Sequence, residues 1–173
     1  MPRNLGAAIG AFISSVASVA AAEGGPVNHA TARDQLKVEH AEIMLRTPGS
    51  AIAEGYLTIW NGTNTTKNLA SVQSKAFADV FFVSADPRSG RAERLDGIVV
   101  IPPHAELLMR RDGVRLLFQQ PNRLIDAPGT AYLTLTFDGG TELEIPAEII
   151  SCGQNLTDHH HGEGDRTHRG IPG

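Results

Sequence analysis

The chain is short of cysteine, of aromatic residues and of positive charge, and each shortage removes a class of protein. One cysteine, Cys152, among 173 residues excludes a disulfide framework and a four-cysteine zinc site. Aromatics make up 5%, and Lys+Arg number 15 against 19 Asp+Glu for a formal net charge of −4, which speaks against nucleic acid because its binders usually carry a basic face. No Walker-type phosphate loop, G-x-S-x-G elbow or H-E-x-x-H pair occurs. No nucleophile stands in a recognisable catalytic arrangement, so the chain reads as a protein that is not an enzyme. Between residues 36 and 150 no segment sustains a 3.6-residue apolar period, which removes helical bundles.

What is present favours strands and turns. Gly 18 and Pro 10 punctuate a chain that is 41% hydrophobic, enough to bury the core of one domain. Runs of β type occur at Ala53–Trp60, Asp79–Val83, Gly97–Ile101, Val114–Phe118 and Thr130–Phe137. Asn61-Gly62 reads as a tight turn, as do Asp112-Gly113 and Asp138-Gly139-Gly140. The segment 130–137 and its answer from Thr141 to Ile145 alternate apolar with Thr or Glu, the pattern of a hairpin with one buried face. The predicted fold is all-β, an antiparallel sandwich or barrel.

The flanks divide the chain further. Residues 1–22 start with Arg3, run through apolar and small residues from Leu5, and end in Ala20-Ala21-Ala22. That is the pattern of a cleaved export signal, and its 18 weakly apolar residues are short for a spanning helix. The expectation is a periplasmic or secreted protein with no membrane span after cleavage. With no cysteine near the cut, lipid attachment there is not expected. Residues 23–35 read as a Gly- and polar-rich linker, 36–150 as the β domain and 151–173 as a flexible tail.

The stretches Gly55-Tyr56-Leu57-Thr58-Ile59-Trp60-Asn61, Ile98–Pro102, Asp112–Phe118 and Tyr132-Leu133-Thr134-Leu135-Thr136-Phe137 resemble the PCuAC-type periplasmic copper chaperones, over roughly residues 36–149. The resemblance implies a cupredoxin-like Greek-key β-sandwich that carries Cu(I) and serves a cuproprotein such as an oxidase subunit. It also implies a metal site of the pattern His, ten residues, Met, twenty-one residues, His-x-Met. Counting in that pattern from the strand after Gly113 sets Phe82, Glu93, Arg115 and Leu117 at the four ligand positions. Phe82 and Leu117 have no donor atom, Arg115 is a permanent cation, and Glu93 is a hard ligand for a soft ion. The resemblance therefore describes a divergent member, and two readings of Glu93 and Arg115 stay open: two independent surface charges on a rim, or an ion pair where the metal would sit. Met44 is expected in the core, Met109 and His104 are expected to be surface or packing residues and not ligands, and His40 is expected on a sheet face.

The tail holds the second constellation: Cys152, Asp158, His159, His160, His161, Glu163, Asp165 and His168. His-rich tracts bind Cu(II) or Zn(II) through imidazole nitrogen, so His159, His160, His161, His168 and Cys152 are the candidate metal ligands, with copper as the expected cargo and zinc as the alternative. Two readings stay open: a copper-handling tail, or a soluble polar tail on a metal-free interaction module. Cys152 itself reads as a buried thiol at the domain's edge.

Overall fold

The computed structural model describes residues 34–157, apart from 87, 123, 124 and 126. The expected export signal, residues 1–22, and all but the last two residues of the linker 23–35 lie outside it. Asp34 and Gln35 already belong to the domain, because Asp34 N donates to Gly62 O at 3.0 Å and Gly62 N to Gln35 O at 2.8 Å.

Ten strands follow: β1 (Leu36–Leu45), β2 (Ile52–Asn61), β3 (Lys67–Ser74), β4 (Phe77–Ala85), β5 (Ala92–Arg94), β6 (Val99–Ile101), β7 (Ala105–Leu108), β8 (Val114–Pro121), β9 (Gly129–Phe137) and β10 (Glu142–Ser151). They pair in the order β5-β4-β8-β2-β1-β10-β9-β3-β6, with β7 on the edge of β2 beside β8. All pairings are antiparallel except β1 with β10. The sheet curls so that β3 and β4, consecutive in the chain and near opposite ends of the pairing path, come into contact. This is the all-β, cupredoxin-like architecture anticipated from the sequence. Among the described residues no helix is long and apolar enough to cross a membrane.

The core follows from strand alternation. Ala131, Leu133, Leu135 and Phe137 of β9 meet Ile145, Ala147 and Ile149 of β10, while the residues between them stay more exposed. The first half of the sheet adds Ile43, Leu57, Ile59, Phe77, Leu116 and Phe118. Phe77 and Phe118 pack with ring centroids 4.9 Å apart. Gly55 sits across from Leu116, and a Cβ at Gly55 would run into the Phe118 ring, so the missing side chain is what lets β2 pass beneath it. The Asp138-Gly139-Gly140 turn closes the β9–β10 hairpin with both glycines at positive φ (74° and 78°), the conformation for which Gly has least steric cost.

Two local expectations need correction. Asn61-Gly62 is not a two-residue hairpin turn: β2 is followed by a loop to Lys67, and Asn61, fully buried, holds that loop. Its Nδ2 donates to Thr65 O (2.9 Å), Ile101 O (3.0 Å) and Pro102 O (2.9 Å), and its Oδ1 accepts from Thr63 N (3.2 Å) and Thr63 Oγ1 (2.7 Å). An amide with both donor hydrogens and an acceptor fills that role, which a turn propensity does not reveal. The apolar run at 97–101 narrows to β6, because Gly97 has φ 143° and pairing starts only at Val99.

Candidate functional site

Strand β8 sends Leu116 and Phe118 into the core, both 0% exposed, so Arg115 and Leu117 face the opposite surface of the sheet. Cross-strand register extends that surface, since directly opposed residues share a face. Phe81 lies opposite Leu117 and Val83 opposite Arg115. Arg94 stands opposite Val83 on the other side. Toward the middle of the sheet Glu54 is opposite Leu117, Met44 opposite Glu54, and Glu42 opposite Tyr56.

This register moves two of the four positions obtained by counting. Phe82 is opposite Leu116 and belongs to the core, 7% exposed, and Glu93 is opposite Ser84 on that same side. On β4 and β5 the residues that share a face with Arg115 and Leu117 are Phe81, Val83 and Arg94, each one place from the counted residue. The Arg94 guanidinium lies 3.9 Å from the centroid of the Phe81 ring. Separation in sequence fixes distance along the chain but not strand parity, and a one-residue slip moves a side chain to the other face. Neither set offers a thioether or an imidazole.

Arg115 does not pair with Glu93, which is exposed on β5. Arg115 is only 5% exposed, and its Nη1 donates to the carbonyls of Arg111 (3.0 Å) and Gly113 (3.5 Å). Its Nε lies 3.7 Å from Glu54 Oε1, an ion-pair distance too long for a hydrogen bond. Glu54 wins the pairing because it stands one strand away on the same face. Glu54 also accepts from Arg46 Nη2 (2.8 Å, on Oε1) and from the Tyr56 hydroxyl (2.8 Å, on Oε2). Partial burial pushes the Glu54 carboxyl up, but these donors and the two guanidinium charges outweigh it and hold the group below the usual carboxylate range. The Tyr56 phenol is driven far above its ordinary value by burial, then by its bond to Glu54. Arg111 Nη2 donates to Met44 Sδ at 2.9 Å. Met44 and Met109 are buried at 4% and 2%, and His104 is exposed with Nε2 2.9 Å from Asn64 Oδ1, as expected of packing and surface residues. His40 is half-buried on β1.

Cys152 is exposed and in no disulfide, which corrects the expected buried thiol. Strand β10 ends at Ser151, and Cys152 starts the turn through Gly153 (φ 92°) that carries it off the sheet. Beyond the turn the chain folds back. Leu156 packs against the core, and Thr157 binds Glu42 through its N–H (3.0 Å to Oε1, 3.3 Å to Oε2) and its hydroxyl (2.6 Å to Oε1). Those bonds satisfy a carboxylate that is 7% exposed. Sequence reading gave no sign of this clasp, because Glu42 and Thr157 are 115 residues apart. His159, His160, His161 and His168 lie outside the described residues. Among the described residues no group of three His, Cys, Asp or Glu could hold a metal ion.

Comparison with solved structures finds the same fold in the apo PCuAC domain of PmoF1 (TM-score 0.58, 23% identity), covering 67% of this chain and 93% of that one. The copper-bound PCuAC domain of PmoF2 matches at TM-score 0.57 and 22% identity, covering 67% and 92%. Apo-DR1885 from Deinococcus radiodurans matches at TM-score 0.54 and 18% identity, covering 85% and 97%. No curated protein matches the sequence. A family model described as LpqE-like lipoproteins matches residues 36–149, the whole of β1 to β9 and nearly all of β10. With that model spanning the sandwich, the chain belongs to the LpqE-like family, whose fold here is of the PCuAC type.

Proposed function

We propose that this is an exported copper-handling protein, not an enzyme, that holds copper outside the in-domain site of the PCuAC type and passes it to a cuproprotein such as an oxidase subunit. The donors in this reading are His159, His160, His161 and His168, with Cys152 as a soft ligand at the start of the same segment. One observation carries it. The face marked by Arg115 and Leu117 has no soft donor at the register positions of the pattern, while four histidines follow Thr157, whose bonds to Glu42 tie the chain to that same face. The copper-bound PmoF2 domain and the Cu(I) form of DR1885 support copper as the cargo. Zinc is the competing ion for an imidazole-rich segment.

The chemistry follows from ligand exchange. Two or three imidazoles and a thiolate bind copper without a rigid cage, so an incoming ligand can displace them one at a time. Protons compete for the same nitrogens near an ordinary histidine pKa of about 6.5, and affinity falls as pH drops through that value.

The test is anaerobic titration of residues 23–173 with Cu(I), Cu(II) and Zn(II) against a competing chelator. His159, His160 and His161 changed together to Ala should weaken copper binding by at least about tenfold, roughly 1.4 kcal/mol. Unchanged tight binding in that variant refutes the tail as the site. Absence of binding in the unaltered chain supports the second reading, a metal-free interaction module, which the buried Arg115 at a metal-ligand position favours.

A further inference from the structure

The arginines on the Glu54 face outnumber the anions that serve them. Two guanidinium groups meet one carboxylate there, Arg46 at 2.8 Å and Arg115 at 3.7 Å from Glu54 Oε1, and a third, Arg111, reaches Met44, the residue opposite Glu54 on β1. Both Glu54 oxygens are taken, by Arg46 and by the Tyr56 hydroxyl. Among the described residues, Arg111 has one side-chain hydrogen-bond partner, the Met44 thioether, a weak acceptor for a full cation.

Arg115 is the more telling group. It is only 5% exposed, its Nη1 is pinned by two backbone carbonyls, and among the described residues its Nε–H has no hydrogen-bond partner, Glu54 Oε1 standing 3.7 Å away. A buried charged donor left unmatched is costly, and a fixed guanidinium edge is the geometry that receives two oxygens of a carboxylate or phosphate. The cluster carries a net charge of about +2, from three guanidinium groups and one carboxylate, in a chain whose overall charge is −4.

We propose that Arg46, Arg111 and Arg115 form an oxyanion-binding site, for a phosphate or carboxylate group, on the face that carries Arg115 and Leu117. Two sources present that chemistry: a free anion, or the carboxylates Asp158, Glu163 and Asp165 of this chain, which follow the clasp at Thr157. The site uses none of the residues assigned to copper, so either inference stands without the other.

The experiment follows the Arg Nε–H resonances of residues 23–173 by NMR during titration with inorganic phosphate at constant ionic strength. The Arg115 Nε–H signal should shift saturably. Arg111→Gln, at an exposed position, should weaken phosphate by about tenfold, and Arg111→Lys should recover part of the loss. No saturable shift, or equal affinity in Arg111→Gln, overturns the site. A second arm changes Asp158→Asn, Glu163→Gln and Asp165→Asn together. If the chain's own carboxylates occupy the site, this variant moves the Arg115 signal before phosphate is added and binds phosphate more tightly. If a free anion is the ligand, it titrates like the unaltered chain. Both results uphold the site and separate its sources.

Discussion

Asn61 gives the sharpest stability prediction. Its side chain is fully buried and joins the 62–66 loop to the end of β6 through three carbonyls and Thr63. Asn61→Ala removes the donors from Thr65 O, Ile101 O and Pro102 O and the acceptor from Thr63. Thr65 and Pro102 are exposed residues whose carbonyls water can reach, whereas Ile101 is 0% exposed. The Ile101 carbonyl, buried opposite Lys67 in the β3–β6 ladder, loses one of its donors, and each bond lost costs about 0.5–1.5 kcal/mol where water replaces it imperfectly. The expected loss is about 3 kcal/mol. With a urea m-value of about 2 kcal/mol/M for a domain of this size, the midpoint should fall by about 1.5 M. Asn61→Asp is the isosteric control. It keeps the shape but turns the amide donor into an acceptor facing three carbonyls, and it should cost at least as much. A midpoint shift below about 0.5 M for both variants, measured by far-UV circular dichroism, would refute this account of how the loop is held.

Gly55→Ala drives a methyl group into the buried Phe118 ring and should destabilise the domain by about 1–3 kcal/mol in the same urea assay, while Gly113→Ala, with open space around it, should not. Thr157→Val removes the hydroxyl bond of the clasp on Glu42 and leaves only the backbone N–H bonds, and it should raise amide exchange over residues 152–157 without loss of the sandwich. Acid titration tests Glu54. Its folded pKa is depressed, so its contribution to stability is complete above the unfolded carboxylate value of about 4.3 and disappears as pH falls through the lower folded value. Glu54→Gln should therefore flatten the loss of stability below about pH 4.5 while costing stability at pH 7. An unchanged acid limb in urea midpoints would show that the Arg46 and Tyr56 bonds do not hold it.

Alternation made most of the sandwich legible in the sequence, and its limits show where. β9 and β10 read clearly because Leu133, Leu135 and Phe137 face inward between Thr residues. The strands β1, β3, β5 and β7 escaped: the alternation of Leu36–Leu45 is broken by a register shift between Val38 and His40, Lys67–Ser74 is mostly polar, and the other two have only three and four residues, too few to show a period. At the candidate site the chain positions of Arg115 and Leu117 were recoverable, but the face of their partners was not, because parity is set by pairing β4 with β8 and β5. Glu54 could not be named from sequence as the partner of Arg115 for the same reason: it comes from a neighbouring strand, 61 positions earlier in the chain.

The parallel pairing of β1 with β10 has a consequence for the order of assembly. Glu42 meets Glu148 and Leu45 meets Ser151, so the middle of the sheet joins segments at opposite ends of the described chain. Every other neighbour of these two strands is formed by an antiparallel partner, β2 or β9, available earlier along the chain. A polypeptide emerging from its N-terminus, from a ribosome or through a pore, can build β1 to β9 as two unjoined halves but cannot close them until residue 151 is out. Closure of so long a loop is slow on the folding timescale, milliseconds to seconds for sheets dominated by distant contacts. The six residues that complete the clasp emerge next, with the histidines directly behind them. Maturation of the domain is thus timed by its last strand, and pulse-labelled exchange during refolding should find β1 and β10 protected together, after the β9–β10 turn.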